Sequence, residues 1–267
     1  MPDTRRSQSA LATLFADNTA GDISAQDGRD LILSVHPEKT CQTGTYASEP
    51  SSGQLTGDLY LPSDSFYAER YSGSAWTPWG PIFPLTKPVD ADFSWVNQGT
   101  ASVVTTNGGL VLLPATGAGA HSLNMRVKTA PSTPYTVTVA LLATTLYTGN
   151  GMVGLLFRES STGKLHIFSI VPTTSAITLA SYSFHSHTTW AGTYRQTEVL
   201  PLQTWFLRLA DNGTNRILSF SADGRNFVTF HSVSRTDFIT ADQVGFYGNP
   251  YVSGADQVVT VLSWKEA

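Results

Sequence analysis

Between residues 205 and 230 the chain reads WFLRLADNGTNRILSFSADGRNFVTF. Trp205, Leu207 and Leu209 alternate with Phe206, Arg208 and Ala210, the two-residue period of a β-strand. Asn212-Gly213 and Asp223-Gly224 interrupt the pattern and predict tight type I′ turns, which need φ > 0 at both central positions. Ile217, Leu218 and Phe220 supply the apolar positions of the strand between them, so the stretch predicts a three-stranded meander. The same grammar recurs upstream. Residues 102–106 and 110–113 flank Asn107-Gly108-Gly109, and residues 152–158 and 164–171 flank Ser161-Thr162-Gly163. Tyr135, Val137, Val139 and Leu141 alternate with Thr136, Thr138 and Ala140, predicting an apolar inner face and a Thr-rich outer one. Residues 177–184 form a further candidate strand, and residues 243–264 a closing pair. About a dozen strands at roughly 8–12-residue spacing predict two packed sheets of about six or seven strands each.

The front of the chain follows a different period. Leu11, Leu14 and Phe15 share one helical face before Asn18-Thr19-Ala20-Gly21 breaks the pattern. Past Ile23, Ser24 can cap a second helix with Asp27 three residues on; Leu31, Ile32 and Val35 form its apolar face and His36-Pro37 stops it. Two such helices are marginal alone in water. These few apolar groups, at about 1.5–3 kcal/mol each, do not offset the ordering of so many residues at about 1–2 kcal/mol each. The arm therefore has to dock on its own body, on sister chains or on another protein. Residues 38–90 are rich in Ser, Gly, Pro, Thr and Tyr, with short strands expected around Leu59-Tyr60-Leu61 and from Phe66 to Tyr71. Trp76 and Trp79 stand among prolines 78, 81, 84 and 88, too stiff for a flexible linker. They read as a subunit or domain interface in preference to a sugar platform. The expected division is a helical arm over 1–37, an aromatic and proline-rich stem over 38–90, and a β-sandwich over 91–267.

Composition narrows the function. Charged residues make up 13 % of the 267, and 16 Lys and Arg against 20 Asp and Glu leave a net charge of −4, which argues against nucleic acid as a partner. Cys41 is the single cysteine, so stability has to come from the core and from assembly. Neither an apolar signal-peptide region nor a run approaching the ~20 residues of a membrane span is expected.

Two resemblances add to this. The meander of residues 205–230 and the closing segment QVGFYGNPYVSGADQVVTVLSW resemble the concanavalin-A-like lectin/glucanase family across residues 92–267. That implies an antiparallel two-sheet jelly-roll sandwich. Ala16, Asp17, Asn18, Thr19, Gly21, Ile23, Ser24, Ala25, Asp27, Arg29 and Asp30 are similar to an N-terminal motif of tailed-phage structural proteins, with Gly28 in place of an apolar residue. The stretch DLYLP…FYAERYSGSAWTPWGPIFPL is similar to phage fibre stems. Together these imply a virion protein at the particle surface, made in the host cytoplasm. It would be a homotrimeric fibre, spike or head-decoration protein. Leu11, Leu14, Phe15, Ile23, Leu31, Ile32, Val35, Trp76 and Trp79 would join it to its sisters or to other virion proteins.

Candidate chemistry is sparse. The glucanase branch carries its acid and nucleophile as Glu-x-Asp-x-x-Glu on one strand, and no such string occurs here. Glu159 and Glu198 are isolated, and Asp211, Asp223 and Asp237 fall in expected turns. A binding protein of host-surface glycan is therefore expected rather than an enzyme, the alternative being a polysaccharide-degrading glycosidase or lyase of the same fold. His185-Ser186-His187 is the sharpest motif. If Phe184 points inward, both imidazoles point outward together. The motif is then similar to His-x-His pairs on the threefold axis of phage fibres, which offer nitrogens to a transition metal. Two surface histidines are the preferred reading, and no other cofactor is expected. The same pair with Tyr182, Trp190 and Tyr194 forms a candidate sugar site, and the loop carrying Tyr247 and Tyr251 forms a second.

Overall fold

The computed structural model describes residues 41–44, 46–48, 50–51, 54, 57–62, 67–81, 85–145, 150–172, 177–199 and 205–267. The expected helical arm, with Leu11, Leu14, Phe15, Ile23, Leu31, Ile32 and Val35, lies outside the described residues. The chain divides into two compact units, Met1–Phe83 and Pro84–Ala267.

The first unit holds a four-stranded sheet of β1 (Cys41–Gly44), β2 (Leu59–Pro62), β3 (Tyr67–Tyr71) and β4 (Trp76–Pro81), in that order. β1 and β2 run parallel and the other neighbours antiparallel. Trp76 is half-buried. Its ring packs against Tyr60 and Tyr71 at centroid distances of 5.6 and 5.4 Å, and its Nε1–H donates to the Pro50 carbonyl at 3.0 Å. This indole is thus engaged within its own sheet. Trp79 lies on β4; its side chain is outside the description.

The second unit is a sandwich of two seven-stranded antiparallel sheets. Its strands are β5 (Ser94–Val96), β6 (Ser102–Thr106), β7 (Gly109–Leu113), β8 (Asn124–Thr129), β9 (Tyr135–Thr145), β10 (Met152–Arg158), β11 (Leu165–Pro172), β12 (Ile177–Ser186), β13 (Thr189–Val199), β14 (Trp205–Asp211), β15 (Asn215–Ser221), β16 (Val228–Ser234), β17 (Gln243–Asn249) and β18 (Gln257–Glu266). The front sheet runs β13-β12-β11-β10-β17-β8-β5 and the back sheet β16-β15-β14-β9-β18-β7-β6. Residues 85–90, expected in the stem, are tied to this unit. Thr86 N–H donates to Ser263 Oγ and the Thr86 carbonyl accepts from Trp264 N–H, both at 2.8 Å.

The expected hairpins are present, but not as type I′ turns. Gly213 (φ 90°) and Gly224 (φ 74°) take positive φ, whereas Asn212 and Asp223 do not. The Asn212 amide and the Asp223 carboxylate instead organise longer loops. Asn212 Oδ1 accepts from the N–H groups of Thr214 and Asn215, and Asp223 Oδ1 from those of Arg225 and Asn226, at 2.7–2.9 Å. Such side-chain caps replace the second left-handed residue.

The core between the sheets follows the two-residue period. Val137, Val139, Leu141, Leu207, Leu209, Val259 and Val261 from the back sheet meet Val153, Leu155, Phe157, Phe168, Val244 and Phe246 from the front. Phe93 packs edge-on against Phe246 and Trp264 at 5.2 and 4.9 Å. The front sheet is also apolar on its other face. There Met125, Val127, Leu156, Leu165, Ile167, Tyr182, Phe184 and Tyr247 form a second buried cluster. That is why β10, β11 and β17 read as continuous apolar runs rather than as alternation.

A cluster of polar side chains, Arg216 and His166 among them, is buried inside the sandwich. Arg216 is fully buried, with Nη2 donating to the Asp237 carbonyl. His166 is also fully buried, its Nε2 hydrogen-bonded to Ser181 Oγ at 2.7 Å. Burial, and then the positive charges of Arg216 and His231, push its pKa well below the usual histidine value.

Candidate functional site

The β12–β13 hairpin builds the site, and two bulges decide which side chains reach it. Ser181 pairs with Arg195 and Tyr182 with Thr193, leaving Tyr194 as an extra residue; Ser183 pairs with Gly192 and Phe184 with Trp190, leaving Ala191 as another. Each bulge re-aims the strand beyond it. Trp190, Thr193 and Gln196 consequently stand on the outer face opposite Phe184, Tyr182 and Ala180. Tyr194 turns the other way. Its ring lies 4.9 Å from His166 and 5.2 Å from His231, and its hydroxyl donates to Asp237 Oδ2. Burial first, and then the Asp237 carboxylate, push its pKa up to about 12.

On the outer face these residues frame a groove of about 280 Å³, with His121, Asn150, Tyr182, Trp190, Thr193 and Gln196 around it and Met152 and Val171 completing the lining. Trp190 is 49 % exposed. Tyr182 is buried, its hydroxyl donates to Gln196 Oε1 at 3.1 Å, and burial raises its pKa.

His121 is held from behind. Its ring meets Phe184 and Tyr251 edge-on at 5.2 and 4.8 Å. Asn249, fully buried, accepts the Ser122 N–H on Oδ1 at 3.1 Å and donates from Nδ2 to His121 Nδ1, also at 3.1 Å. The backbone donor fixes which end of the amide is oxygen, so Nδ1 is the acceptor and the neutral ring carries its proton on Nε2. Burial lowers the His121 pKa, which favours that neutral form.

The expected site residues therefore separate. Tyr182 and Trp190 come together in the groove. Tyr251 stands behind His121, and Tyr247 is fully buried with its hydroxyl bonded to Ser169 Oγ at 2.6 Å. Phe184 points to the outer cluster, contrary to the premise on which the two imidazoles shared an outer face. His185 packs against Phe238 at 5.4 Å, and Phe238, partly buried, packs against the inter-sheet core. His187 lies in the turn after β12, its carbonyl accepting from Leu123 N–H at 3.0 Å. Alternation cannot pair the two rings because the strand ends at Ser186. Among the described residues no three His, Cys, Asp or Glu side chains cluster as metal ligands. His121, Asn150, Thr193, Gln196 and Asn249 escape a sequence reading. Of these, only the run of small residues before His121 marks a loop.

No family model matches the chain. No curated protein matches it either. Solved structures do. A functionally unknown protein from Saccharomyces cerevisiae aligns with a TM-score of 0.51 at 15 % identity, over 68 % of this chain and 98 % of that one. A variant of the GH43 protein BlXynB from Bacillus licheniformis aligns with a TM-score of 0.51 at 13 % identity, over 82 % of this chain. The match spans just under half of that longer protein, 48 %. The carbohydrate-binding module CBM66 from Bacillus subtilis aligns more loosely, at a TM-score of 0.43 and 13 % identity, over 69 % and 98 % of the two chains. What the chain shares with the first two is a fold, the antiparallel two-sheet β-sandwich.

Proposed function

We propose that this chain is a virion structural protein of a tailed phage, a homotrimeric fibre, spike or decoration protein, whose sandwich binds a host-surface glycan in the groove on the front sheet. The observation that carries the glycan reading is the exposed Trp190 standing beside Tyr182, Gln196, Thr193 and a tautomer-fixed His121. An aromatic face presents negative charge to the C–H groups of a sugar ring. Around it, amide, hydroxyl and imidazole groups supply the donors and acceptors that orient hydroxyls. Among the described residues no Asp, Glu, Lys or Arg lines the groove, so a neutral sugar fits it best. The same lining supports binding over hydrolysis, because a glycosidase needs two carboxylates flanking the scissile bond. GH43 proteins among the structural neighbours agree with a carbohydrate ligand. The virion assignment is supported by the motif of residues 16–30, which lies outside the described residues.

Glycan-array binding by the full chain tests the groove. Trp190→Ala should weaken binding at least tenfold, about 1.4 kcal/mol, with the melting temperature unchanged because the ring is half exposed. Retained affinity in that variant would remove the groove from the account, and no glycan bound at all would remove the glycan. Light scattering on the full chain tests assembly: three copies are expected, and a single copy would overturn the trimer.

A further inference from the structure

The outer face of the back sheet carries an arrangement that glycan binding in the front groove does not use. Thr138 on the central strand β9 pairs with Arg208 on β14 to one side and with Lys265 on β18 to the other. All three stand on one rung and one face, since Val137 and Val139 point into the core. The two cationic residues are thus two strand spacings apart, about 10 Å between Cα atoms. Between them is a pocket of about 140 Å³, bordered by Thr136, Thr138, Ser263 and the Gly224 turn.

Arg208 is held in place before anything binds. Its Nε–H donates to Thr138 Oγ1 at 2.9 Å, and its guanidinium lies 3.6 Å from the centroid of the Phe227 ring. A guanidinium stacked on one face and anchored through Nε keeps both Nη groups as a planar fork, the geometry that matches a carboxylate or phosphate. Neither Arg208 nor Lys265 forms an ion pair among the described residues. The nearby Glu266 is taken by Lys128 Nζ at 2.8 Å and by Trp264 Nε1–H at 2.7 Å. Ala267 borders the pocket and is bonded through its backbone to Thr136, at 2.7 and 3.0 Å. Burial lowers the Arg208 pKa, the cost of partly desolvating a cation.

We propose that this rung is a second binding site, taking an anionic group, a carboxylate or phosphate, between the Arg208 fork and Lys265. The anion accepts two hydrogen bonds from Arg208 Nη1 and Nη2, Lys265 supplies a mobile second charge, and the Thr136 and Thr138 hydroxyls fill the remaining acceptor directions. This site does not depend on the groove at Trp190.

Calorimetric titration of the full chain at low salt tests it with glucuronate, glucose 6-phosphate and inorganic phosphate, and with methyl glucoside as the neutral control. Saturable binding of at least one anion is expected, weakening as salt is added, with methyl glucoside inert at this site. Glucuronate binding identifies a carboxylate ligand and glucose 6-phosphate a sugar phosphate, whereas inorganic phosphate binding equally well identifies the bare anion. Arg208→Met should lower the affinity at least tenfold, and Arg208→Lys should restore only part of it because the fork is gone. Lys265→Met, which leaves the Arg208–Phe227 stack intact, should lower it severalfold, and Trp190→Ala should leave it unchanged. No saturable anion binding, or an affinity indifferent to both Arg208→Met and Lys265→Met, would overturn the proposal.

Discussion

At the scale of single residues, the groove depends on a group that never touches its surface. Asn249 is fully buried, yet it sets the proton on His121 and holds the Ser122 backbone. Asn249→Ala leaves a backbone N–H and a ring nitrogen unpaired in the interior, at about 1–3 kcal/mol for each such loss. The expected outcome is a lower urea midpoint together with weaker glycan binding, and an unchanged midpoint would show that the two bonds contribute little. Gly224 is a second such residue. With φ at 74° and the Phe206 ring 2.7 Å from where a Cβ would stand, Gly224→Ala should destabilise the sandwich by about 1–3 kcal/mol. Chemical unfolding of that variant checks the figure. The Asp223-Gly224 pair announced a turn in the sequence, but the crowding by Phe206 did not, because it comes from a residue on another strand.

The strands themselves were legible at the scale of elements, because period and punctuation coincide. Leu207 and Leu209 are buried as their alternation predicts, and β10 and β11 join across the expected Ser161-Thr162-Gly163 turn. The turn types were not legible, since Asn212 and Asp223 cap their loops with side-chain oxygens rather than adopting positive φ. Nor were the bulges of β13. Counting by twos from Trp190 places Tyr194 on the same face; the extra residues at Ala191 and Tyr194 break that parity and send the tyrosine to His166. A bulge has no compositional mark in this stretch, so any site on β13 is shifted relative to a reading by alternation. A related constraint holds β10 against β11. A Cβ on Gly154 would stand 1.9 Å from the Phe168 carbonyl oxygen. Gly154→Ala must displace backbone in the middle of the front sheet, at about 1–3 kcal/mol or more. A loss of melting temperature exceeding that of Gly224→Ala is the expected reading, since a turn can yield where a central strand cannot.

At the scale of the whole molecule, the buried polar cluster makes stability depend on pH. The His166 pKa is depressed in the folded state by burial and by the charges of Arg216 and His231, so the folded chain resists a proton that the unfolded chain accepts. Its contribution is fully present above the unfolded value near 6.5 and is lost as pH falls below it toward the folded pKa. Each pH unit in that window costs about 1.4 kcal/mol for this group. Urea unfolding at pH 7.5 and 5.5, a range in which carboxylates stay ionised, should show the drop, and His166→Gln should flatten it. An equal slope in both proteins would assign the dependence elsewhere. The second unit begins at Pro84, and Thr86 bonds to β18, a contact that composition does not encode. The sandwich also has two outward surfaces that cannot be seen at once. Trp190 belongs to one and the Arg208–Lys265 rung to the other, with both sheets, about 10 Å from layer to layer, in between. No monosaccharide spans that thickness. A polymer reaching both would have to bend round a sheet margin, so under the two proposals the sandwich would hold two separate ligands, one on each side, and work as a staple between them rather than as a tighter grip on either.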